Sequence, residues 1–349
     1  MLSGRDGAAV TAFTSKDVAR LAGVSQSTVS YVMSGKRPIS TETRQRVLAA
    51  IERLTYEPNA GARALASQRT NVVGLVVPFG DENTTGLLPF IETIASSARA
   101  KDHEVLLVTS DEGSAGLRRL AGRSLCDAIV LMDIQTHDDR IPVAAALRTP
   151  VILIGVPADP LDLHCVDLDF ALAARMAVAE LAATGHDRLI FIGHPAEIIH
   201  HDLNYIHRFF DAAKAAAAEH GLPYEILAPV EQDRAGAGAA VGHAMASRGE
   251  DRLGLVVPNS QAVQPVLHAL TRRGFVPGRD VSVIGVCTDA AASESEPPVT
   301  NVSMESRDVS RRAMQTLFWL LDPGTAGPPP AVDLIPPRLT RRQTVMPSA

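Results

Sequence analysis

The 349-residue chain is expected to pair an N-terminal all-α helix-turn-helix headpiece with an α/β core of two doubly wound parallel-sheet lobes. Three observations lead there. Residues 14–34 carry two short helical patterns around a Gly23-Val24-Ser25 turn. From residue 72 onward, short apolar runs alternate with amphipathic helical stretches. Charge is also unevenly divided: residues 1–69 hold ten Lys/Arg against five acids, a net of +5, so the remainder carries −11 of the total −6.

Taken in order, residues 1–12 read as a disordered leader. Thr14 can cap the first helix, with Asp17 three residues on, near the positive end of the helix dipole. Val18, Ala19 and Ala22 recur at near-helical spacing and are small enough for close packing. Gly23 suits a sharp turn that needs positive φ. Ser25 can cap the second helix, where Val29, Val32 and Met33 are expected to face inward. Gln26, Ser27, Thr28, Ser30 and Tyr31 then point outward. An exposed helix of small polar residues suits the DNA major groove, where amides and hydroxyls read base edges and hold phosphates. Ser40 opens a third helix over 41–54, with Val47, Leu48, Ile51 and Leu54 on one face. Tyr56-Glu57-Pro58-Asn59 follows, then a short helix from Ala60 to Ala66. A basic module on an acidic body is the electrostatic footprint of phosphate binding.

The core strands are expected at 72–77, 105–109, 128–132, 151–156, 189–193, 226–228, 253–257 and 281–286. The helices are expected near 86–101, 115–122, 138–147, 170–184, 203–220, 234–248 and 261–273. Nearly all-apolar strands between helices argue for parallel sheets covered on both faces. Eight such units are too many for one small sheet, hence two lobes.

Composition narrows the function. Hydrophobic residues make up 46% of the chain, enough for sizeable cores. The three cysteines, Cys126, Cys165 and Cys287, are too widely spaced for a zinc site or a disulfide framework, and suit a reducing cytoplasm. No signal segment and no run of membrane-spanning length is evident, so no membrane partner is expected. His194, His200, His201, His207 and His220 are irregularly spaced around Pro195 and joined by no cysteine cluster, so no metal is assigned. No Gly-rich phosphate loop or nucleophile elbow follows a strand, and neither an enzyme nor a cofactor is expected.

Residues 13–70 resemble the DNA-binding headpiece and hinge of the LacI/GalR family of bacterial transcription regulators. The resemblance is carried by Asp17-Val18-Ala19, Ala22-Gly23-Val24-Ser25, Thr28-Val29-Ser30, Tyr56-Glu57-Pro58-Asn59 and Ala62-Arg63-Ala64-Leu65-Ala66. Thr70 to Leu75, Gly185-His186, Val281 to Gly285 and Pro337 to Thr344 extend it over nearly all of the core. The resemblance implies a headpiece at 13–58, a hinge helix and linker at 59–70, and a core at 71–349 with the fold of periplasmic sugar-binding proteins. Lobe 1 is expected at about 71–165 and 295–325, and lobe 2 at about 166–290 and 326–345, the chain crossing three times.

It further implies a cytoplasmic regulator, a repressor in the first instance, that binds a palindromic double-stranded DNA operator as a homodimer. A small-molecule effector, a sugar or related metabolite, would occupy the cleft. An effector-independent or corepressor-dependent regulator is the alternative. Gln26, Ser27 and Tyr31 would read bases, while Thr14, Ser25, Thr28, Ser30 and Asn59 would hold phosphates or cap helices. Leu65, with Ala62 beside it, would wedge into the minor groove. Cleft-facing positions at the C-terminal ends of strands pick out Phe79, Asp81, Asp133, Asp169, His194, Asn259 and Cys287. Arg208 stands near a family arginine that contacts effectors. Two departures matter: Asn259-Ser260 replaces a frequent Asn-Asp, and Cys287 replaces a frequent aspartate, which weakens the expectation of a simple sugar.

Overall fold

Helix α1 (Ser15–Ala22) begins where the Asp17 carboxylate accepts hydrogen bonds from the Thr14 amide at 2.9 Å and its hydroxyl at 2.8 Å. Those bonds, the backbone one foremost, hold the Asp17 carboxyl below its ordinary value. The computed structural model describes residues 13–34, 37–56, 69–78, 84–229, 234–324 and 327–348. Gly23 ends α1 in the left-handed region, at φ 63°, and donates to the Ala19 and Arg20 carbonyls. Helix α2 (Gln26–Ser34) starts with Ser25 Oγ accepting from the Thr28 amide at 3.1 Å. Helix α3 (Thr41–Arg53) is capped by Ser40. Val18, Ala19, Ala22, Val29, Val32, Val47 and Ala50 form the core of these three helices.

Two inward assignments fail. Met33 is 40% and Leu48 49% exposed. Each follows a buried valine, Val32 or Val47, and the next residue on a helix turns about 100° away from the filled face. The leader 1–12 and the hinge residues Asn59, Ala62 and Leu65 lie outside the described residues.

The chain divides into units Met1–Thr70 and Asn71–Ala349. The second unit holds two six-stranded sheets. The first comprises β1 (Val72–Val77), β2 (Glu104–Thr109), β3 (Ala128–Leu131), β4 (Val151–Ile154), β5 (His164–Leu168) and β11 (Val332–Ile335), ordered β11-β5-β4-β3-β1-β2 and parallel throughout. The second comprises β6 (Arg188–Ile192), β7 (Tyr224–Leu227), β8 (Leu253–Val257), β9 (Ser282–Cys287), β10 (Thr300–Ser303) and β12 (Leu339–Thr340), ordered β12-β10-β9-β8-β6-β7. Only the β10–β12 pair is antiparallel. Helices between parallel strands cover both faces, which is why β1, β3, β4, β8 and β9 are almost wholly buried. Gly254 lets the helix Phe170–Ala183 approach β8: a Cβ there would lie 2.8 Å from Leu181 Cδ1.

The strand pairing moves the expected exchange points. The chain leaves the first sheet after β5, returns after β10 with the helix Ser306–Leu321, and leaves again between β11 and β12. The return thus falls near 304 rather than 295, and the last crossing near 336 rather than 326. β10 conceals itself because its sequence, Thr-Asn-Val-Ser, is polar, yet all four residues are buried. Their polar groups are satisfied locally: Asn301 Nδ2 donates to the Cys287 carbonyl at 2.9 Å, the Thr300 amide to Thr344 Oγ1 at 2.9 Å, and the Arg338 amide to Ser303 Oγ at 2.9 Å. β5 and β11, each interrupted by an acid, Asp167 or Asp333, were likewise not expected, nor were the helices Ser306–Leu321 and Asp289–Glu294.

Candidate functional site

On the first unit, α2 presents Gln26, Ser27 and Ser30 to solvent, with Thr28 and Tyr31 half-buried. Gln26 Nε2 donates to Ser15 Oγ at 2.7 Å, so the amide is oriented by α1 before any ligand arrives. Thr14 and Ser25 are occupied as caps. The Arg37 guanidinium lies 5.0 Å from the centroid of the Tyr31 ring. That stacking adds a cation to the outer end of α2, which the reading of α2 alone missed. The signal was there in the paired Lys36-Arg37.

In the second unit a cavity of about 350 Å³ opens between the two sheets, at the C-terminal ends of their strands. Asp133, His194, Asn259 and Cys287 all line it. Asp133 follows β3 with φ 59°, its carbonyl accepting from Arg140, which is itself paired with Asp138. His194 follows β6 and is buried; burial holds it down to about 4, so the ring is neutral at physiological pH. It stands edge-on to Tyr205, with centroids 5.9 Å apart. Asn259 follows β8. Its Oδ1 accepts from the Gln261 amide at 3.1 Å, which fixes the side chain, while its buried Nδ2 has no hydrogen-bond partner among the described residues. Cys287 ends β9; burial pushes its thiol up to about 12, so it is an inert apolar surface.

Three other assignments fare differently. Asp169 does not line the cavity: its Oδ1 accepts from the Leu172 amide at 2.8 Å and caps the helix Phe170–Ala183. Arg208, on the helix Asn204–Glu219, is ion-paired with Asp167 of β5 and lies 5.5 Å from the Phe170 ring centroid. Its partners Asp167 and Phe170 line the cavity, whereas Arg208 does not. Phe79 and Asp81 lie outside the described residues. Asp167 went unnoticed in the sequence, although a lone acid in a buried strand is itself a signal. Burial outweighs the Arg208 charge and pushes Asp167 up to about 6.

The cavity is spanned on one side by a strap. The Thr136 amide and hydroxyl both donate to the Asp202 carbonyl, at 2.8 and 3.0 Å, Gln135 and Leu203 form an antiparallel bridge, and Asn204 Nδ2 donates to the Val156 carbonyl. Among the described residues no group of three or more His, Cys, Asp and Glu could hold a metal ion, and no helix is long and apolar enough to cross a membrane.

Residues 14–59 match the model of the bacterial regulatory proteins of the lacI family, and residues 178–345 match the periplasmic binding protein-like domain. The HTH-type transcriptional regulator AscG of Escherichia coli is 30% identical over 329 residues, which cover 90% of this chain and 94% of AscG. The chain belongs to the LacI family. Catabolite control protein A of Priestia megaterium is 27% identical over 333 residues, covering 94% of this chain and 98% of that protein. Among solved structures, the lac repressor dimer bound to operator and an anti-inducer superposes with a TM-score of 0.79 at 21% identity, covering 96% of this chain and 100% of that one. The complex of the regulator CelR with cellobiose gives 0.63 at 23%, covering 95% and 99%. This LacI-family chain is therefore a transcriptional regulator, with a helix-turn-helix DNA-binding domain and a periplasmic-binding-protein-like core, and not an enzyme.

Proposed function

We propose that this regulator is a cytoplasmic repressor that binds a palindromic operator as a homodimer and is released or recruited by a small molecule in the core cleft. The observation that carries the effector site is the fixed, buried Asn259, which lines the cavity of about 350 Å³ and whose Nδ2 has no hydrogen-bond partner among the described residues. Leaving a buried donor unpaired is costly, and a ligand acceptor relieves that cost. The operator reading rests on the pre-oriented Gln26 and the exposed hydroxyls of α2. Two-fold protein symmetry matches two half-sites in the DNA. Ser27 and Tyr31 join Gln26 at the bases, while Thr14, Ser25, Thr28, Ser30 and Asn59 face phosphates or cap helices. Leu65 and Ala62 enter the minor groove. Asp133, His194 and Asn259 contact the effector directly, against an apolar surface supplied by Cys287.

A ligand with different affinities for two lobe arrangements shifts their populations, and residues 59–70 pass that shift to the headpieces. The test is selection of the operator from random DNA, followed by titration of wild type and Gln26→Ala. The variant should lose about 1–3 kcal/mol at the base it reads, and lose specificity there. A uniform loss across all sequences would remove Gln26 from base readout.

A further inference from the structure

The cleft also carries information about the chemistry of its occupant, given that it is an effector site. Among the described lining residues the broad surfaces are apolar or aromatic, including Leu87, Phe90, Met132, Phe170, Tyr205 and Met304. Three of the polar lining side chains are buried: Asp167, His194 and Asn259. Asp167 is already engaged twice, by the Arg208 guanidinium and by the Leu168 amide at 2.9 Å. His194 is neutral, and the Asn259 Nδ2 amide has no hydrogen-bond partner among the described residues. No lysine or arginine lines the described cavity, and the one histidine besides His194, His201, is solvent-exposed.

An anion entering a site of low dielectric needs a fixed cation or several donors to replace its water. The guanidinium best placed to serve is held against the Asp167 carboxylate and the Phe170 ring. We propose that Asp167 sets the selectivity of this cleft: by engaging Arg208 it excludes anionic ligands, and the site takes an uncharged small molecule with a hydrogen-bond acceptor for Asn259.

The test uses the full-length protein and its Asp167→Asn and Asp167→Ser variants, each checked for folding by circular dichroism. The probes are neutral ring compounds paired with their carboxylates, as benzamide with benzoate, together with lactones, cyclic ketones, glucose and glucose 6-phosphate. Thermal shift finds binders and calorimetry ranks them. Wild type should bind members of the neutral ring set and neither the carboxylates nor glucose 6-phosphate. Freeing Arg208 should raise carboxylate affinity by about tenfold or more in a folded variant, the scale of one charge-assisted contact. Wild-type binding of a carboxylate or glucose 6-phosphate as tightly as the neutral set overturns the proposal, as does an unchanged ranking in both folded variants. Glucose outbinding glucose 6-phosphate supports the exclusion of anions, as benzamide outbinding benzoate does. Silence of every probe, with operator titrations unchanged by all of them, overturns the effector reading as well.

Discussion

Arg208→Leu separates charge from packing at the heart of the cleft. Asp167 is 7% exposed and paired with Arg208, and its carboxyl is pushed up from 3.8 to about 6 because burial outweighs the guanidinium. The folded chain therefore holds this proton more tightly than the unfolded chain between roughly pH 4 and 6. Stability from this group is greatest below the lower value and falls as pH rises through the window. The shift of about two units corresponds to roughly 3 kcal/mol.

Removing Arg208 takes away the largest influence that favours the charged carboxylate and leaves only the Leu168 amide against burial, so the value rises further. At pH 7.5 the variant must bury an unpaired carboxylate or hold a proton against the solvent, and breaking such a pair costs about 3–5 kcal/mol. At pH 5 the carboxyl is largely protonated in both proteins, and what remains is a hydrogen bond and the stacking on Phe170, about 1–2 kcal/mol. Urea unfolding followed by the single tryptophan, Trp319, measures both differences. His194 titrates the other way in this range, but it is common to both proteins and cancels in the difference. An equal penalty at pH 5 and pH 7.5 would refute the electrostatic account and leave only lost packing.

Two other outcomes are expected. His194 is held down from 6.5 to about 4, so its contribution to stability is present above pH 6.5 and is lost as pH falls toward 4. His194→Gln should flatten that acid limb by roughly 3 kcal/mol, and an unchanged limb in acid titration of the unfolding midpoint would place the ring outside the buried cleft. Gly278 sits at φ +83°, where an added Cβ would lie 2.0 Å from the Gln343 carbonyl oxygen. Gly278→Ala should therefore cost at least about 1–3 kcal/mol, read as a lowered Tm; wild-type stability would mean that the C-terminal segment moves aside freely.

The headpiece was legible in residues 14–34 because its determinants are local. A capping residue, a positive-φ glycine and two buried faces lie within one turn or two of each other, so Thr14, Gly23 and Ser25 are where the pattern puts them. The parallel sheets were legible for a similar reason, since strands covered on both faces must be almost purely apolar. Strands that satisfy polar side chains by long-range bonds escape that reading, as β10 does through Thr344 and Arg338. Helix faces drifted where a hydrophobic residue follows a filled position, as with Met33 and Leu48. The cleft residues at strand ends, Asp133, His194, Asn259 and Cys287, came from topology alone. By itself, then, the sequence determined the family, the two-part architecture and the strand ends from which a site is built. The Asp169 cap is also local, reaching the Leu172 amide three residues on. Tertiary packing, by contrast, sets Arg208 against Asp167 across 41 residues and leaves the buried Asn259 Nδ2 without a partner among the described residues; neither burial nor a distant partner is written into local sequence.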